Sequence, residues 1–206
     1  MSAAVFGPAL SPEAAQLRGM IHDRHPTFVR AVTEDARLAV RFRGEGTAPT
    51  GPLATIALVV RLCIVTDAFF AQLCYRGKAA CQARGVPLVP RVLHRLAMRS
   101  AQVCIGDPVV VEAGVYIPHG QVVVDALTTV RAGTTLSPFV TLGRVASRAG
   151  GPDVGPLATI GTGAKVLGPV RVGPRSVVGA NAVVLDDVPA GATAVGAPAR
   201  VVGDQG

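Results

Sequence analysis

Aliphatic residues return at six-residue intervals through the second half of the chain: Ile105, Val111, Ile117, then Val124, Val130, Leu136, Leu142, then Val154, Ile160, Val166, Val172, Val178 and Val184. One aliphatic side chain per six, with small or turn-forming residues between, predicts a solenoid of short parallel strands. Three hexapeptides make one triangular coil, and strands stack about 4.8 Å apart. The beat breaks twice. Between Ile117 and Val124 one surplus residue enters the coil, in the segment holding His119, the only histidine after His94. Between Leu142 and Val154 one aliphatic is missing, and residues 143–153 (Gly-Arg-Val-Ala-Ser-Arg-Ala-Gly-Gly-Pro-Asp) form a polar, glycine-rich excursion before the frame resumes. A loop that leaves a rigid scaffold and rejoins it in register is a common place for function. A bulge at the surplus residue is expected to aim His119 out of the solenoid wall.

The first half has another texture. Ser11-Pro12-Glu13 is a helix start, with a capping hydroxyl, a proline in the first turn and an acid near the positive end of the dipole. It predicts a helix to about His22, stopping before His25-Pro26, and a second over roughly 27–42. Residues 44–52, rich in Gly and Pro, read as a joint. One long helix is expected over 53–84 and a shorter one over 91–102. The latter carries Arg91, Arg95 and Arg99 at four-residue spacing, read as a solvated face. The apolar stretch 53–65 reads as a buried helix, because Arg61 and Asp67 interrupt it before the roughly 20 residues needed to span a bilayer. The expected organisation is a helical domain over 1–102, a β-helix over 103–189 and a C-terminal cap over 190–206, since a solenoid must cover its open end.

Composition narrows the function. The 206 residues allow one large or two small domains, and half are apolar, which fits rungs buried in a narrow solenoid. A formal charge of +7 favours anionic partners, but with 4% aromatic residues the stacking platforms of a nucleic-acid binder are largely missing. An anionic small molecule is the expected partner, with no nucleic acid and no membrane. Cys63, Cys74, Cys81 and Cys104 match no zinc or redox spacing and read as reduced thiols in a cytoplasmic protein. No basic n-region leads into an apolar core, so no signal peptide is expected.

Four stretches identify a family. Val140-Thr141-Leu142-Gly143, the run Ile160 to Gly168 (Ile-Gly-Thr-Gly-Ala-Lys-Val-Leu-Gly), the run Val178 to Val184 (Val-Gly-Ala-Asn-Ala-Val-Val) and Gly196-Ala197-Pro198-Ala199-Arg200 together resemble serine O-acetyltransferases. Tyr75-Arg76 falls where that family has a Tyr-Arg pair on its last long helix. The resemblance covers about residues 60–203. It implies an α+β chain, an N-terminal α-helical domain followed by a left-handed parallel β-helix. It also implies acetyl-CoA as co-substrate without a metal, homotrimers that pair through their helical domains, and a place in cysteine biosynthesis. The implied acceptor is serine or a related small hydroxylated amino acid, modified or carrier-bound forms included.

Carried over residue by residue, the resemblance makes His119 the general base. The family's substrate-binding aspartate before it is Pro118, and the aspartate that orients the base is Cys104. Its second histidine, in the excursion, falls at Gly150 and Gly151, where Arg148 is a substitute cation for the acceptor. The donor side is implied at Gly143, Thr162, Gly163, Gly179 and Ala180, with Lys165 and Arg200 as phosphate partners. Histidine suits the base role because its ordinary pKa, about 6.5, lies near working pH. Side chains one coil away lie 15 to 19 positions off, which selects 100–104 and 134–138, and neither window holds a carboxylate. No acid of the same chain is therefore expected at His119. A backbone carbonyl, Cys104, a hydroxyl such as Ser137 or a neighbouring subunit would orient the ring, and the base would be less activated than in the family. The competing reading is a non-catalytic hexapeptide scaffold or regulatory subunit. A γ-class carbonic anhydrase needs a three-histidine zinc site, and the solenoid has one histidine.

Overall fold

The structure, a computed structural model, describes Ile21, residues 23–146, Arg148 and residues 150–202. The first expected helix falls almost wholly outside the described residues. Four helices follow: α1 (Phe28–Phe42), α2 (Pro52–Val65), α3 (Phe69–Ala83) and α4 (Val89–Ala101). On α1 the buried positions Ala31, Val32, Asp35, Ala36, Ala39 and Val40 recur at helical spacing and form its inner face.

Two expectations about the helices are corrected. Residues 53–84 are two helices, not one. Thr66 is extended, and its N–H and hydroxyl both donate to the Leu62 carbonyl, closing α2. A β-branched hydroxyl residue followed by an aspartate favours such local bonds over helix continuation. Ala68, fully buried, then leads into α3. Nor is α2 buried: only Leu58 and Leu62 turn inward, while Leu53 is 81% and Ile64 79% exposed. A helix apolar all round has more such surface than the narrow contact with α1 and α3 covers, and Ile56 and Val60 lie on the same open side.

From Val103 onward the chain winds through three sheets in turn. The first holds β1 (Val103–Ile105), β3 (Val122–Val124), β6 (Thr141–Gly143), β9 (Lys165–Leu167) and β12 (Val183–Val184). The second holds β2 (Val110–Val111), β4 (Thr129–Val130), β7 (Asp153–Val154) and β10 (Arg171–Val172). The third holds β5 (Thr135–Leu136), β8 (Thr159–Ile160), β11 (Val177–Val178), β13 (Thr193–Gly196) and β14 (Ala199–Val202). All pairings are parallel except the final β13–β14 hairpin. All thirteen beat residues are buried, and they form one core with Ala71, Cys74 and Tyr75 of α3.

The first coil has no coil beneath it, so its ladder carbonyls would be orphaned, a cost that buried polar groups avoid by pairing. Side chains of α3 satisfy them. Lys78 Nζ donates to Ile105 O at 2.6 Å, the Tyr75 hydroxyl to Val109 O at 3.2 Å, and Gln72 Nε2 to Val115 O at 2.8 Å. Arg76 donates to the carbonyls of Val111 and Glu112 and also forms a two-pronged pair with Asp35 at 2.8 and 3.0 Å. Asp35 in turn accepts from the N–H groups of Gly114 and Val115. Burial pushes the Tyr75 phenol up to about 12. At the other end β13 lies on β11 and β14 folds back over it.

Candidate functional site

The coil register locates the surplus residue. Tyr116 pairs with Thr135, and Val123 pairs with Thr141, so the turn between them holds one residue more than the turn above it. His119 and Gly120 share the place that Pro138 fills one coil higher. Gly120 presses on the end of α4: a Cβ there would lie 1.7 Å from the Ala101 carbonyl oxygen, so only glycine fits. Gln121, at φ 63°, donates its N–H to the same carbonyl. The helix end thus pins the back of the turn, and the imidazole is left outside with 63% of its side chain exposed.

The ring is not without an acid, which corrects the sequence expectation. Nδ1 of His119 stands 2.7 Å from Oδ2 of Asp67. A carboxylate only accepts, so Nδ1–H donates and Nε2 keeps its lone pair for an incoming proton. Asp67 lies in the break between α2 and α3, 52 positions from His119. Windows one coil above and below the histidine could not contain it, because it arrives from the helical half. The dipeptide Thr66-Asp67 closing an apolar run was the available signal. Cys104, expected near the ring, stands in β1 opposite Val123 and lines a cleft beside α4 instead.

Four of the implied donor-side residues share the edge of the prism that carries His119. This edge joins the third sheet to the first, and Gln121, Phe139, Gly163 and Asn181 repeat one positive-φ turn along it. Backbone bonds from Gly163 to Pro138 and from Asn181 to Thr162 stitch the turns together. Thr162, Gly163, Gly179 and Ala180 therefore form a column above the histidine. Lys165 joins them, with Nζ donating to the Phe139 carbonyl at 2.6 Å. Gly143 ends β6, on the next edge, and a Cβ there would meet nothing within 4 Å. Arg148 is exposed on that same next edge, its Cδ 3.9 Å from a Cβ placed on Gly168, so one chain does not bring it to His119. Arg200 is exposed on β14, where it bonds the Ala199 carbonyl. Among the described residues no group of three or more His, Cys, Asp or Glu side chains could hold a metal ion, and no helix is long and apolar enough to cross a membrane.

A histidine with one nitrogen fixed by a carboxylate and the other open to solvent can accept a proton from an approaching hydroxyl. Solved structures with the same fold are serine acetyltransferases. A serine acetyltransferase in complex with CoA matches at TM-score 0.71 and 26% identity, over 91% of this chain and 75% of that one. A serine acetyltransferase in complex with cysteine matches at 0.71 and 27%, over 91% and 75%. Soybean serine acetyltransferase complexed with serine matches at 0.70 and 25%, over 94% and 85%. The resemblance carried by the sequence motifs is borne out across most of the chain, and the fold is theirs, a helical domain followed by a left-handed β-helix. Sequence comparison finds no matching family model and no matching curated protein.

Proposed function

We propose that this chain is an acetyl-CoA-dependent O-acetyltransferase whose acceptor is serine or a related small hydroxylated amino acid. The observation that carries the reading is the His119–Asp67 pair, turned outward on an edge lined with small-residue turns. Its structural neighbours are acyltransferases, one of them in complex with CoA. In the proposed reaction Nε2 of His119 takes the proton of the acceptor hydroxyl as its oxygen attacks the thioester carbonyl. The tetrahedral intermediate collapses, the C–S bond breaks, and the same proton passes to the departing thiolate. Asp67 holds the imidazole in the required tautomer.

The donor arm runs along the column of Thr162, Gly163, Gly179 and Ala180, reaching Gly143, with Lys165 and Arg200 near its phosphates. Arg148 meets the acceptor only if a second subunit supplies it, so the active form is a homotrimer with sites between protomers. The open apolar side of α2 supports pairing of trimers through their helical domains. The test is release of free thiol from acetyl-CoA against a panel of hydroxylated acceptors, with the product identified by mass. Turnover that falls by roughly 10²- to 10⁴-fold in His119→Ala is expected. No thiol release with any acceptor would leave a non-catalytic scaffold.

A further inference from the structure

A second cleft, of about 410 Å³, opens between α4 and the first two coils, on the outer face of the first sheet. The acyl-transfer chemistry makes no use of it. Its walls carry opposite charges: Lys78, Arg91 and Arg95 come from the helical side, and Asp107 and Asp125 from the solenoid, Arg91 and Asp107 both being engaged with other groups. Lys78 and Asp107 are 2.7 Å apart and neutralise one another at the base. The side chains of Arg95 and Asp125 make no hydrogen bond or ion pair with any other described residue, and both line the cleft. The exposed Asp125 carboxylate lies over Gly106, in the space that a Cβ at that position would take.

His94 and Cys104 also line the cleft. Burial, and then the Lys78 charge, hold the His94 imidazole below its usual range, while burial, and then the Asp125 charge, push the Cys104 thiol up. Both are neutral near pH 7. The charge arrangement selects the ligand class. A phosphate or dicarboxylate would meet Asp125 as well as Arg95, and a simple cation would meet Lys78 and Arg95 as well as Asp125. A small molecule bearing one charge of each sign satisfies both walls.

We propose that this cleft binds a free α-amino acid as the zwitterion, its carboxylate on Arg95 and its ammonium on Asp125. The test is calorimetric titration of the full chain with glycine, L-serine and L-glutamate, and with betaine, whose trimethylated nitrogen has no hydrogen to donate. At least one of the three amino acids binds, betaine binds at least about tenfold more weakly, and Asp125→Asn and Arg95→Gln each weaken binding by about tenfold or more. Asp67→Asn leaves that affinity unchanged. The proposal is overturned if none of the three binds at about 10 mM, if affinity survives in both cleft variants while their melting curves match the wild type, or if it is lost in Asp67→Asn, which would put the ligand at His119. Amino-acid binding with this pattern in a chain that transfers no acetyl group would sink the function proposed above and leave this site standing.

Discussion

The proposed chemistry rests on two side chains, and they come from halves of the chain with different origins for their positions. His119 is outside the wall because Gly120 and Gln121 are fixed against the Ala101 carbonyl. Asp67 is available because Thr66 ends α2 one residue earlier. Both members of the pair are solvent-exposed, 63% and 73% by side chain, so their attraction adds little to stability and their contact matters for orientation. Asp67→Asn should therefore lower kcat by roughly 10- to 100-fold while leaving the thermal midpoint within about 2 °C of wild type. Stopped-assay kinetics beside a melting curve read both. A loss of fold stability in place of kcat would mean that the pair is structural.

The strands were legible in the sequence and the helix break was not, and the reason is physical. A hexapeptide period is written by the rungs themselves, and Ile105 through Val184 are all interior in the structure. The surplus residue beside His119 was equally visible, because it shifts the count. The helix interruption at Thr66 leaves no such mark, since both flanks are apolar and either would continue the pattern. Nor does sequence reveal that Gln72, Tyr75, Arg76 and Lys78 stop the bottom of the solenoid, because their partners are backbone carbonyls of other residues 27 to 43 positions away. Of these, Arg76 has the most to lose. Arg76→Met leaves the buried Asp35 carboxylate without its cation and two carbonyls without donors, and should cost about 3–5 kcal/mol in urea unfolding. A change under about 1 kcal/mol would show that solvent reaches this layer.

At the scale of the molecule the open question for a single chain is what covers its apolar side. Leu53, Ile56, Val60 and Ile64 present an aliphatic stripe along α2 that α1 and α3 leave uncovered. Light scattering on the purified chain should give a multiple of three protomers, and the double substitution Ile56→Glu and Val60→Lys should halve the mass if trimers pair through this stripe. An unchanged mass would assign the stripe to another role. The two ends of the solenoid differ from its flank. A stack of parallel strands grows by accepting another strand at either rim, which is how fibrils elongate. In this chain the lower rim is already engaged by α3, and at the upper rim the third sheet ends on a strand running the wrong way to template a parallel continuation. Growth of the third sheet by a further parallel strand is thereby blocked at its upper edge.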